Sequence, residues 1–171
     1  MQALDKVGRF ERAVLPHLEA AYNLARWLTR NDHDAEDVVQ EAYVRALTFF
    51  DSFRGEDGRA WLLTVVRNTC YTWLEKHRSQ EPPVSLDERI HAPTSELNPE
   101  EIFLRRASGE ELRAAVEALP VEFREVIVLR ELEELSYKEI AVVLSIPLGT
   151  VMSRLTRARV RLQQSLSAKE F

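Results

Sequence analysis

The chain has 171 residues, 45% of them hydrophobic and 30% charged, and carries a formal net charge of -5. That length admits one ordinary domain or two small ones, and the composition is that of a globular protein able to bury a core. Five glycines and seven prolines are few for an all-β protein, while Ala, Leu, Glu and Arg are abundant, so an all-α fold is expected. The lone cysteine, Cys70, excludes an internal disulfide. The N-terminal MQALDKVGRFERAV has neither the apolar core of a signal peptide nor a run long enough to cross a bilayer, which predicts a cytoplasmic protein without membrane insertion.

Residues 10–30 set Phe10, Val14, Leu18, Ala21, Leu24, Ala25 and Leu28 at steps of three and four, one apolar helical stripe in which Pro16 marks a kink or a break. After Asn31-Asp32, the stretch DAEDVVQEAYVRALTFF opens with carboxylates suited to a helix N-terminus. It then places Val38, Ala42, Leu47 and Phe50 on a second stripe ending near Phe50. DSFRGEDGR reads as a loop, and AWLLTVVRNTCYTWLEKH as a third helix. At 100° per residue its Leu63, Val66, Cys70, Trp73 and Leu74 share one side, so Cys70 reads as a packed thiol. Trp61, Thr64, Asn68, Tyr71 and Thr72 share the other side, a polar surface with aromatics.

From Ser79 to Leu97 the chain has three prolines and no sustained period, which marks a flexible linker. It divides the chain into two small helical domains, residues 1–78 and 98–171. Asn98-Pro99-Glu100-Glu101 suits a helix start, with the helix running to about Ala118, and Pro120 opens another whose Phe123, Ile127 and Val128 face inward.

Ser136 and Glu139 form an S-x-x-E capping box, so a short helix begins there and buries Ile140, Val143 and Leu144. Pro147 biases Ile146 away from helical geometry and ends it. The next helix, from about Leu148, puts Val151, Leu155, Ala158 and Leu162 on one narrow stripe. Two short helices across a tight turn read as a C-terminal helix-turn-helix. Ser153, Thr156 and Arg157 lie opposite the stripe with Met152 beside them, and Arg154, Arg159 and Arg161 are expected to flank that exposed face. Short polar and forked donors at the centre suit base edges, and cations at the sides suit phosphates. A solvated basic face on a structural helix is the alternative. An acidic chain binds free DNA poorly, since counterion release favours cationic proteins, so a partner is expected.

DAEDVVQEAYVRA at 34–46, FRGEDGRAWLLTVVRNTCYTWL at 53–74 and SYKEIAVVLSIPLGTVMSRLTRARVRL at 136–162 resemble, in order, the three signature blocks of the extracytoplasmic-function (ECF) sigma factors of bacterial RNA polymerase. The resemblance implies a region 2 domain over 1–78 for polymerase binding and -10 recognition and melting, and a region 4 domain over 98–171 for -35 recognition. It gives Glu36, Asp37, Gln40 and Glu41 a role in docking on core RNA polymerase. It also implies that the loop from Asp51 to Gly58 and the following helix take the -10 element as single strand, with a flipped base held next to the loop. Phe53, Arg54, Asn68 and Arg67 fall in that part of the chain. Trp61 and Tyr71 are candidates for stacking on an unpaired base, with core packing as the alternative. The resemblance implies that the last helix reads duplex through Ser153, Thr156 and Arg157, with Arg154 and Arg159 on phosphates. Met152 departs from the arginine common in the family and cannot donate to guanine.

The implied partners are core RNA polymerase, promoter DNA and an anti-sigma factor, and the implied state is a monomer. The linker's Glu81, Asp87, Glu88 and Glu96 suit either a nucleic-acid mimic or an ordinary tether. No phosphate loop, nucleophile motif or histidine–carboxylate spacing is present, and His17, His33, His77 and His91 lack ligand spacing. No enzyme, cofactor or metal is therefore expected. A stand-alone helix-turn-helix regulator is the rival, and it predicts dimeric binding to paired half-sites.

Overall fold

The computed structural model describes residues 2–55, 57–77 and 109–168, and every regular element among them is helical. The linker expected at 79–97, its four acidic residues and the helix start expected at 98 lie outside the described residues. The chain divides into two compact units.

The N-terminal helices are α1 (Gln2–Val14), α2 (Leu18–Thr29), α3 (Asp32–Thr48) and α4 (Gly58–His77). Pro16 lies in a 3-10 turn, Leu15–His17, so two helices and not one kinked rod carry the first apolar stripe. The first helix starts at Gln2, well before the stripe becomes regular at Phe10. Arg30 closes α2 in the left-handed region, φ 61°, its N–H donating to the Arg26 carbonyl at 2.8 Å. Asn31 then caps α3, its Oδ1 accepting from the Asp34 N–H at 3.0 Å, while Asp32 and Asp34 complement the positive end of the helix. Helices α2, α3 and α4 pack pairwise. Alanines 35, 42 and 46 of α3 let the larger Leu24, Leu28, Leu62, Leu63 and Val66 of its neighbours approach closely, and Cys70 is buried with them.

Phe50 and a second 3-10 turn, Phe50–Ser52, follow α3. Phe10, Tyr43, Phe50, Phe53 and Trp61 make a chain of ring contacts with centroids 5.0–5.9 Å apart, which fastens α1 and the loop after α3 to the start of α4. Asp57 caps α4, its Oδ1 accepting from the Ala60 N–H at 3.0 Å. Gly58, the first residue of α4, lies directly against the Ala13 carbonyl, an approach only a residue without Cβ permits.

The C-terminal helices are α5 (Gly109–Glu117), α6 (Val121–Ile127), α7 (Tyr137–Leu144) and α8 (Leu148–Ala168). The helix expected after Pro120 does not stay α-helical: Val128–Leu132 is a π turn, and Glu134 beyond it has φ 56°. Arg124 is fully buried and donates from Nη1 to the carbonyls of Leu119, at 2.6 Å, and Glu117, at 3.4 Å, tying off the end of α5. The core joins Phe123, Ile127 and Val128, as expected, to Leu129, Leu135 and Ile140, and to the α8 stripe of Val151, Leu155, Ala158 and Leu162.

Candidate nucleic-acid interface

The capping box forms in both directions: the Ser136 N–H donates to Glu139 Oε1 at 2.9 Å and the Glu139 N–H to Ser136 Oγ at 3.1 Å. The other end of α7 closes in a Schellman motif, with the Ile146 N–H on the Ala141 carbonyl at 3.1 Å and the Ser145 N–H on that of Val142 at 3.2 Å. Ser145 takes the left-handed residue of that motif, φ 54°, where glycine is usual. Thr150 and Val151 N–H groups return to the Pro147 carbonyl at 3.0 and 3.1 Å, starting α8. The two helices meet at 101°, the angle of a helix-turn-helix. Among the described residues no single helix is long and apolar enough to cross a membrane.

On α8, Met152 is 50% exposed, and Ser153, Thr156 and Arg157 are partly exposed beside it. The Ser153 and Thr156 hydroxyls donate back to the carbonyls of Gly149 and Met152, both at 3.0 Å, leaving their oxygens as acceptors. Arg157 is partly exposed, and its Nε is shielded from water and has no hydrogen-bond partner.

Arg159 corrects the sequence reading. It was expected at the margin of the exposed face; it is 8% exposed, and its Nη2 lies 2.8 Å from Glu131 Oε1 on the π turn. Arg154 is also turned inward, with Nη1 3.9 Å from Oε1 of the fully buried Glu125. Arg161 lies with its guanidinium carbon 5.3 Å from the Phe123 ring centroid. At 100° per residue Arg154 and Arg159 sit roughly 70° to either side of the buried stripe, nearer to it than to the exposed face. The acids that hold them come from 28 and 29 residues earlier, and no local pattern announces them.

In the N-terminal unit Glu36, Asp37, Gln40 and Glu41 are all exposed on α3. Glu41 accepts from Arg45 Nη2 at 2.7 Å, and His33 Nε2 lies 3.6 Å from Asp37. Asp37 and Glu41 are like charges one turn apart, and Arg45 offsets part of that cost within the helix. The phenol of Tyr22 is pushed above its ordinary pKa by burial and by the carboxylates of Asp32 and Glu36.

On α4, Asn68 is exposed, and its Oδ1 accepts from Arg67 Nη1 at 3.4 Å. The Arg67 guanidinium lies over the Tyr71 ring, 3.6 Å from its centroid, so one face of that ring is already covered. Trp61 packs against Phe50 and Phe53 and stays partly exposed. Arg54 and Phe53 instead border a cleft of about 480 Å³ shared with Arg9, Ala13, Phe50, Asp51 and Gly55.

Residues 13–80 match the family Sigma-70 region 2, and residues 109–162 match Sigma-70, region 4. The ECF RNA polymerase sigma-E factor of Escherichia coli is 38% identical over 135 residues, which cover 74% of this chain and 70% of that protein. The chain belongs to the ECF sigma factors. This sigma factor is also 32% identical over 158 residues to the ECF RNA polymerase sigma factor SigE of Mycolicibacterium smegmatis, covering 92% of its own length and 62% of that relative's, so it spans less than two thirds of the latter. Among solved structures it resembles the sigma factor RpoE of Bartonella quintana in complex with the anti-sigma factor NepR. That match has a TM-score of 0.68 and 30% identity over 92% of this chain and 96% of the other. It also resembles CnrH in complex with the cytosolic domain of CnrY, with a TM-score of 0.66 and 28% identity over 93% and 88% of the two chains.

Sequence reasoning missed three features of this sigma factor. Arg9 reaches the cleft from α1, and its signal was the glycine at 58 that lets α1 come so near. Val44 is 62% exposed on the same face of α3 as Asp37 and Glu41, and Phe49 is 61% exposed just beyond the helix. Their positions at three and eight residues past Glu41 mark an apolar continuation of the acidic face.

Proposed function

We propose that this sigma factor binds core RNA polymerase and directs initiation at promoters whose -35 element is read as duplex by α8 and whose -10 element is taken as single strand by α4 and the loop before it. The observation that carries the reading is the union, on one chain, of a region 2 match with a helix-turn-helix whose second helix leaves Met152, Ser153, Thr156 and Arg157 on its outer face. Arg157 supplies a forked donor for a base edge, and Met152 an apolar contact suited to a thymine methyl. The cleft beside the 51–55 loop is the proposed seat of an unpaired base. Its Arg9 and Arg54 donate, Asp51 accepts, and Phe50 and Phe53 offer apolar wall.

Glu36, Asp37, Gln40 and Glu41 form the proposed polymerase-docking face, extended by Val44 and Phe49. Phosphate anchoring is not assigned to Arg159, whose guanidinium is engaged by Glu131. Region boundaries are proposed at 1–78 and 98–171 with the linker at 79–97. The factor acts as a monomer in the cytoplasm, its chemistry being that of the polymerase, and it is held in check by an anti-sigma protein, as the pairing of RpoE with NepR supports.

The test is run-off transcription with purified core polymerase, with and without the factor, on a pool of upstream fragments from its own genome. Start sites that require the factor support the proposal and reveal both elements. No initiation, together with tight dimeric binding to duplex, replaces it with the stand-alone regulator.

A further inference from the structure

The reading helix is held to its unit by charges as well as by its apolar stripe, and those charges converge on one irregular segment. Within the π turn, Arg130 donates from Nη1 to the Leu135 carbonyl at 2.9 Å and lies 4.7 Å from the Tyr137 ring centroid, gripping the entry to α7. Its neighbour Glu131 grips α8 through Arg159 at 2.8 Å, in a pair whose side chains are only 17% and 10% exposed. The turn is closed by the Glu133 N–H on the Val128 carbonyl and the Leu135 N–H on that of Leu129, both at 3.0 Å. Two consecutive residues thus hold the two different helices of the helix-turn-helix.

We infer that Arg130 and Glu131 form a bracket that sets the rotation and pitch of α8 relative to α7, making Glu131, Arg130 and Arg159 positioning residues for -35 readout. The inference rests on the sigma reading for its promoter consequence. An apolar pair of equal volume would hold the helices at least as firmly, but it has no direction. An ion pair between Glu131 and Arg159 is satisfied only over a narrow range of rotation of α8 about its axis. Arg157 and Arg159 are two residues apart on that helix, so fixing one fixes the direction of the other. The fully buried Glu125 beside Arg154 gives a second fixed point on the opposite flank of the stripe. Irregular π turns occur most often where a helix serves function over regularity.

The test uses the full chain as wild type, Glu131→Ala, Glu131→Gln and Arg159→Lys. Promoters identified by run-off transcription are compared with the same promoters carrying a scrambled -35 element. Each assay is normalised to the folded fraction from circular dichroism. Glu131→Ala is expected to lower the preference for the matched element by about tenfold, the scale of one lost base contact. Glu131→Gln, which keeps an acceptor for Arg159, is expected to retain most of it, and Arg159→Lys to fall between. A preference unchanged in every folded variant would overturn the bracket, even with lowered melting temperatures.

A second readout needs neither DNA nor polymerase: the distance distribution between spin labels at Lys138→Cys and Gln164→Cys, two exposed positions on α7 and α8. Broadening or displacement in Glu131→Ala supports the bracket, and an unchanged distribution overturns it. A wild-type factor that starts no transcript, together with this broadening in Glu131→Ala, would sink the sigma reading and leave the bracket standing.

Discussion

Replacing Gly58 by alanine should destabilise the N-terminal unit, whereas the same replacement at Gly149 should stabilise the C-terminal one. At Gly58 an added Cβ would collide with the Ala13 carbonyl oxygen and lie 3.3 and 3.6 Å from the carbonyl carbon and Cα of that residue. All three are backbone atoms, so no rotamer change relieves the contact and α1 must move away from α4. Overpacking of this kind costs about 1–3 kcal/mol. The gain in helix propensity from glycine to alanine is at most about 1 kcal/mol and smaller at a first helical position. The clash wins, with a net loss of about 1–2 kcal/mol, which lowers the melting temperature of a unit this size by about 5–15 °C. At Gly149 nothing lies within 4 Å of the new Cβ and the backbone is ordinary, so about 0.4–1 kcal/mol is gained. Scanning calorimetry of the full chain reads both, because each substitution should move a different transition. A Gly58→Ala melting temperature at or above that of the wild type would refute the reasoning.

Four further outcomes are expected. Ser136→Ala removes half of the reciprocal cap of α7 and should cost about 1 kcal/mol by urea denaturation, with the wild-type m-value retained. Ser145→Gly relieves a left-handed serine and should raise stability by up to about 1 kcal/mol in the same assay. Arg157→Ala should weaken promoter binding by about 1–3 kcal/mol and relax specificity while leaving the melting temperature near that of the wild type. Arg159→Ala should do the reverse, destabilising the fold by about 1–3 kcal/mol through loss of the mostly buried pair with Glu131, as calorimetry beside binding anisotropy would show.

The parts of this structure set by short-range chemistry were legible from residues alone. The capping box at Ser136, the break at Ile146-Pro147 and the stripe from Val151 to Leu162 each depend on neighbours within a few positions, and each stands as read. Arg159 was misread because the rule that arginine faces water has a partner-dependent exception, and the partner, Glu131, lies on a turn whose π geometry no α-helical wheel reproduces. The aromatic face of α4 was only partly legible. Its spacing left stacking and packing as alternatives, and the contacts come from elsewhere: Arg67 lies over Tyr71, and Phe50 and Phe53 come to Trp61 from outside the helix. The cleft beside the loop left only the indirect signal of Gly58, since Arg9 and Arg54 are 45 residues apart and both line it from different elements.

The division of α8 into a buried stripe and an outer face bears on how promoter preference can diverge among descendants of one ancestor. Met152, Ser153, Thr156 and Arg157 contribute little to the core, and substitutions at such positions usually change stability by less than about 0.5 kcal/mol. On the proposed reading of α8, a new preference can therefore arise one residue at a time without passing through an unfolded intermediate. Arg154 and Arg159 have less freedom, since each lies against an acid of the core side, Glu125 or Glu131. The same helix offers evolution a surface that drifts by single steps and a frame that is held more tightly.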